Sequence, residues 1–185
     1  MPGLSPDIVQ HQLPLNPRCS PVKQKLRRMK FEMSLKIKEE VKRQFEAGFL
    51  AIAWYPEWVA NIVSVPKKDG KVRMCVDYRE PNRASPKDNF PLLHIDVLVD
   101  NTTNFALFSF MDGFSGYNQI KMALDVTVWE MFYYKVMSFG LRNTGATYQR
   151  AMVALFHDMM HKEIEVYVDD MIVKSKTKEE HLVNL

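Results

Sequence analysis

The chain is poor in cysteine: Cys19 and Cys75 stand far apart among 185 residues, and no Cys-x-x-Cys occurs. That argues against a disulfide framework and against a zinc knuckle, and it fits a reducing compartment. Long apolar runs are missing too. No stretch approaches the roughly 20 apolar residues needed to cross a bilayer, and the Met1-Pro2-Gly3 start lacks a basic segment followed by an apolar one. A soluble, intracellular protein without a membrane partner is expected, cytoplasmic with the nucleus as an alternative. Charge of one sign is scarce as well: the net value is +3, so no global field selects a nucleic-acid partner. Internal repeats and low-complexity tracts are absent. The remainder, 46% hydrophobic and 25% charged, is ordinary globular composition, long enough for one sizeable core or a core with a small subdomain.

What is present is local. Lys23, Lys25, Arg27, Arg28 and Lys30 form one basic cluster and Lys67, Lys68, Lys71, Arg73, Arg79 and Arg83 another. Each is a candidate phosphate surface, although such runs are more often solvated faces. Residues 1–22 hold Pro2, Pro6, Pro14, Pro17 and Pro21 with little periodicity, which predicts an extended leader outside the core. From Met33 to Ala47, Leu35, Ile37, Val41 and Phe45 fall at helical spacing among charges, and Gly48 can end that helix. Two strand-like runs, 61–67 and 71–78, flank Asp69-Gly70, a pair suited to the positive φ angles of a tight hairpin. Residues 81–104 read as loop and short helix. The apolar run 106–112, ending at Asp112, predicts a strand covered on both faces. Residues 145–161 return to helical spacing, with Tyr148, Met152, Leu155, Phe156 and Met159 on one side, and short strands 164–168 and 171–174 bracket Asp169-Asp170. This order suggests an α+β domain, a mixed or antiparallel sheet with helices on one face.

The chemistry lies in the acids. Two adjacent carboxylates at a hairpin tip offer hard oxygen ligands for a divalent ion, though an isolated Asp-Asp is usually just a turn. Asp112, at the end of another strand, changes the weighing. If the two strands are neighbours, three carboxylates meet where only cations can relieve their repulsion, and a pair of Mg²⁺ ions in such a place serves in-line phosphoryl transfer. A rival metal motif, His157 and His161 one helical turn apart, lacks the Glu after the first His that a zinc protease needs. The 12 methionines include Met152, Met159 and Met160 at helical spacing, which reads as core.

Four ordered blocks carry a resemblance. Phe110-Met111-Asp112-Gly113-Phe114-Ser115-Gly116-Tyr117-Asn118-Gln119-Ile120 resembles motif A of Ty3/gypsy-type retrotransposon reverse transcriptases, and Tyr167-Val168-Asp169-Asp170 resembles their motif C. Residues 65–79 resemble the fingers block, and Phe139-Gly140-Leu141-Arg142-Asn143 leading to Ala146-Thr147-Tyr148-Gln149 resembles motif B. The resemblance implies a right-hand polymerase fold: leader 1–22, fingers 23–104, and a palm over 105–185 built as an RRM/ferredoxin-like antiparallel sheet, ending before the thumb. It implies an RNA-directed DNA polymerase transferring nucleotides to a primer 3′-hydroxyl with two Mg²⁺ ions, Mn²⁺ being the alternative. Asp112, Asp169 and Asp170 would be catalytic and hold the metal. Lys67 and Arg73 would close over the triphosphate, Tyr117 would exclude a ribose 2′-hydroxyl, and Phe139 and Gln149 would lie near nucleotide and template. Partners would be an RNA or DNA template with its primer, dNTPs, and the remaining pol polyprotein (protease, thumb, RNase H, integrase), with a virus-like particle as the ancestral setting.

The chain departs from the family pattern at several places. The 124–134 segment is shorter by several residues, Val128 and Glu130 stand at turn positions held by Pro and Gly, Ser138 replaces a Pro, and Pro81 replaces a Leu. These changes read as lesions beside the site. They keep open a rival in which the chain is catalytically dead and acts at most as a nucleic-acid-binding module.

Overall fold

The structure, a computed structural model, describes residues 3–68, 71–91, 94–113, 116–123, 131–168 and 170–185. In chain order its elements are β1 (Gln10–His11), α1 (Phe31–Glu46), β2 (Leu50–Ala53), β3 (Ile62–Pro66), β4 (Val72–Val76), α2 (Arg79–Ala84) and α3 (Ile95–Thr102). There follow β5 (Leu107–Asp112), α4 (Gly116–Gln119), β6 (Lys121–Met122), β7 (Met131–Tyr134), α5 (Thr144–Leu155), β8 (Ile164–Tyr167), β9 (Asp170–Ser175) and α6 (Lys178–Asn184). Among the described residues no helix is long and apolar enough to cross a membrane.

The sheet that matters for the site has strand order β5-β9-β8, antiparallel throughout. Directly opposed residues of an antiparallel ladder share a face. On one face stand Met111 and Ser109 of β5, Met171 and Val173 of β9, and Val166 and Ile164 of β8. Tyr148, Ala151 and Met152 of α5 pack there in one apolar cluster with Ile164, Val166 and Val173. Further along, α6 ties down the same face: His181 bonds Ser109 Oγ through Nε2 at 2.8 Å and Ser175 Oγ through Nδ1 at 3.1 Å. The start of α6 is fixed by a capping box between Thr177 and Glu180. α5 and α6 therefore pack on one face of the sheet, and α3 reaches the other face only near Lys174, whose Nζ donates to the Asn101 carbonyl at 2.8 Å.

The opposite face corrects one expectation. The run 106–112 was expected to be buried on both sides, but Phe110 is 76% exposed and Phe108 39%. Their phase along β5 turns them away from the helices, and an apolar run by itself does not reveal whether a second layer exists.

The leader corrects another. It is extended, as its prolines demand, yet it is packed: Val9, His11 and Leu13 are buried at the period of two that an extended chain imposes. β1 pairs in parallel with β6, and the Leu4 amide donates to the Gln119 carbonyl at 2.8 Å. Val9 joins the cluster under α5, while Leu13 joins a second cluster with Trp58, Ala60, Tyr78, Ala84 and Leu141. The leader thus spans both cores, and each buried aliphatic side chain contributes roughly 1.5–3 kcal/mol of transfer free energy.

The β3–β4 hairpin has the expected strands, with Val65 opposite Arg73 and the Lys67 amide donating to the Lys71 carbonyl at 2.8 Å. Its Asp69-Gly70 turn lies outside the described residues. Gly48, at φ 76°, ends α1 as expected. The helix expected over 145–161 stops at Leu155, because the chain must reverse through turns, with His161 at φ 66°, to feed β8.

Two of the sequence departures turn out to be accommodated. Pro81 lies in the first turn of α2, where a missing N–H leaves no helical bond unmade, and its carbonyl accepts from the Ser85 amide at 2.9 Å. Ser138 is buried, and its hydroxyl hydrogen-bonds the buried Tyr78 phenol. Burial raises the Tyr78 hydroxyl well above its ordinary range, so it stays neutral and needs such a partner. Val128 and Glu130 lie outside the described residues.

Candidate active site

The β5–β9 register places Asp112 directly opposite Asp170, and the β8–β9 register places Tyr167 on the other side of Asp170. Two acid-bearing positions on neighbouring strands are therefore opposed at one end of the sheet. Asp170 is exposed. Asp169 lies outside the described residues. Among the described residues no three His, Cys, Asp or Glu side chains gather into a metal-binding group.

Behind this end stands a row of aromatic rings. Tyr117, on α4, is 5% exposed and lies between Phe139, at 4.4 Å between ring centroids, and Tyr148 of α5, at 5.2 Å. Phe139 is 64% exposed and forms the outer ring. Gly116 has a steric reason to be glycine: a Cβ there would come within 2.6 Å of the Tyr148 ring. Sequence reasoning pointed to Tyr117 and Phe139 but missed Tyr148, which couples them to the helix.

Gln149, expected near nucleotide and template, is 2% exposed. Its Nε2 donates to the Val166 carbonyl and its Oε1 accepts from the Val168 amide, both at 2.9 Å. Val168 has φ 55°, a left-handed conformation that is an outlier for a β-branched residue. The side chain thus grips the backbone just ahead of Asp169. Nothing in the sequence separates such a glutamine from one that faces solvent.

Lys67, Lys68 and Arg73 of the β3–β4 hairpin line an open concavity of about 500 Å³ with Val65 and Pro66. Lys67 and Arg73 are exposed and make no ion pair among the described residues. Arg79, from the same basic cluster, instead binds Asp77 through two hydrogen bonds of 2.7 and 2.6 Å, and Arg27 adds a third at 3.0 Å. The Arg79 hydrogen bond is the largest of the causes that hold the Asp77 carboxyl below its usual range. Two basic residues of the clusters are therefore engaged in holding the fold, while Lys67 and Arg73 present their charge to solvent. Lys67 and Arg73 stand on the two-stranded β3–β4 sheet, whereas Asp112 and Asp170 stand on the three-stranded β5-β9-β8 sheet.

His11 is a buried base within this scaffold. Its Nδ1 pairs with the Thr147 hydroxyl on α5 at 2.9 Å, and Nε2 has no hydrogen-bond partner among the described residues. Burial lowers its pKa from 6.5 to about 4.

Comparison with known proteins bears directly on this geometry. Residues 65–185 match the family model described as reverse transcriptase (RNA-dependent DNA polymerase). The retrovirus-related Pol polyprotein from transposon 297 of Drosophila melanogaster is 32% identical over 139 residues, 69% of this chain and 13% of that protein. An RNA-directed DNA polymerase homolog of Oenothera berteroana is 32% identical over 124 residues, 62% of this chain and 87% of that protein. Prototype foamy virus protease-reverse transcriptase superposes with a TM-score of 0.80 at 19% identity, covering 94% of this chain and 24% of that one. The foamy viral enzyme in complex with an RNA/DNA hybrid superposes at 0.74 and 24% identity, covering 90% of this chain and 23% of that one. At such identities these structures establish the fold.

Proposed function

Since the chain belongs to the reverse transcriptase (RNA-dependent DNA polymerase) family, we propose that it performs that family's nucleotidyl transfer to a primer 3′-hydroxyl, in an element of the Ty3/gypsy type. The observation that supports the reading is the β5–β9 register, in which the Asp112 and Asp170 positions are paired across neighbouring strands. Hard carboxylate oxygens of this kind suit Mg²⁺ or Mn²⁺, so the donor set fits a divalent ion. Asp112, Asp169 and Asp170 would hold two such ions, which supply charge neutralisation for phosphoryl transfer. The remaining work falls to the chain's own groups. Lys67 and Arg73 attract the triphosphate from the hairpin, the guanidinium offering two parallel donors to one phosphate. Phe139, backed by Tyr117, forms an apolar wall for the incoming sugar, and its rigidity comes from the stack onto Tyr148. The substrate would be a template with an annealed primer.

Primer extension on poly-rA with Mg²⁺ tests the proposal. The wild-type chain should incorporate dTMP, and Asp169→Asn should lower the rate by roughly 100-fold or more. Equal incorporation by the two proteins would remove the enzymatic claim.

A further inference from the structure

We propose that Gln149 is a positioning residue for the Asp169-Asp170 turn, holding the strained Val168 backbone from behind, and that it does not touch nucleotide or template. The proposal rests on the reading that the acids bind divalent ions, and it specifies what aims them.

The hydrogen bonds set out the device. Gln149 lies in the middle of α5, whose neighbouring residues Tyr148, Ala151 and Met152 are fixed in the core. From that rigid base its amide spans two backbone groups that flank Tyr167: the Val166 carbonyl, which accepts, and the Val168 amide, which donates. With the side chain this deeply buried, the amide is not presented to a ligand on the open face. Left-handed backbone is favoured by glycine or asparagine, yet the sequence has valine, whose branched Cβ resists φ 55°. A strained residue persists only where its surroundings over-determine it. Here the over-determining contact is the Val168 N–H bond to Gln149. Two residues later the chain re-enters the ladder, with Asp170 opposite both Tyr167 and Asp112. Were Val168 to relax to an extended conformation, the turn would change shape between those two fixed points. The acids would then leave the arrangement that the register imposes, and metal sites tolerate little displacement.

Backbone amide exchange and Mn²⁺ titration of the full chain test this separately. In Gln149→Met, which keeps the shape and removes the amide, Val168 protection should fall by roughly 100-fold while Ile172 and Val173 of β9 stay protected. Unchanged protection of Val168 would overturn the clamp. The Mn²⁺ dissociation constant should rise about tenfold in the same variant. In a Val168→Gly background, where positive φ carries no strain, Gln149→Met should change it by less than about twofold. An equal loss in both backgrounds would mean that Gln149 acts other than through Val168, and would overturn the positioning role. Absence of Mn²⁺ binding by the wild-type chain would sink the catalytic reading and the positioning role with it, whereas the exchange result still decides the clamp.

Discussion

The two ends of one sheet face handle acidic residues in opposite ways. At the turn end, Asp170 is exposed and stands opposite Asp112, like beside like. At the far end, Glu165 is buried and its carboxylate meets Lys174 Nζ at 2.8 Å, both side chains fully enclosed. Lys174 also donates to the Asn101 and His161 carbonyls, at 2.8 and 3.1 Å, so the donors of its ammonium are matched by acceptors. Phe105 covers it at 4.5 Å from nitrogen to ring centroid. The His161 ring completes the Glu165 side at 3.0 Å. The same three strands thus neutralise a buried acid at one end and expose Asp170 at the other. A buried ion pair adds little net stability, but removing one member strands the other charge in a dry interior.

That asymmetry can be broken most severely at Lys174. Lys174→Met should cost about 3 to 5 kcal/mol in chemical denaturation, because Glu165 is left buried without its ammonium partner, with the His161 ring alone beside it. Pairing it with Glu165→Leu should recover part of the loss. Asp170→Asn, at the other end, should change unfolding free energy by no more than about 0.5 kcal/mol. Comparable losses from Lys174→Met and Asp170→Asn would erase the distinction between the two ends.

His11 sharpens the contrast, since it is a buried base without the acceptors that Lys174 enjoys. Its folded-state pKa of about 4 lies below its ordinary 6.5, so the unfolded chain binds the proton more readily between those values. Stability should therefore fall as pH drops from about 6.5 towards 4, by roughly 3 kcal/mol when complete. His11→Phe should flatten that part of the pH–stability curve. An unaltered slope would show that His11 is not the group being titrated.

The smallest effect concerns a neutral buried pair. Ser138→Ala removes the hydrogen bond between the Ser138 and Tyr78 hydroxyls and should cost about 1 kcal/mol, measurable as a lower denaturation midpoint with an unchanged slope. A null effect would mean that this hydrogen bond adds nothing beyond the packing around it.

Much of this was legible in the residues. The Asp-Gly hairpin signal and the alternating runs around Asp169-Asp170 specify strands whose observed bounds differ by a residue or two. The end of α1 at Gly48 follows from a glycine suited to positive φ. What was hidden is what depends on a second layer or a distant partner. Phe108 and Phe110 read as core because apolarity does not state which face lacks a cover. The leader read as loose because five prolines masked a two-residue spacing of Val9, His11 and Leu13 that packing makes visible. Ser138 read as damage because its partner, Tyr78, is 60 residues away. The bonds of Gln149 to the Val166 and Val168 backbone are hidden because a polar residue on a helix gives no sign of which way it points. Of the candidate site, the acids and the aromatic pair are legible in the sequence, whereas the grip of α5 on the Val166 and Val168 backbone is not.

The account stands or falls on Asp112 and Asp170 acting together on a divalent ion. Mn²⁺ titration of the full chain, followed by electron paramagnetic resonance, measures this directly. Wild-type protein should bind Mn²⁺, and Asp112→Asn and Asp170→Asn should each weaken binding by roughly tenfold or more, with thermal unfolding unchanged. Wild-type affinity in both variants would contradict it.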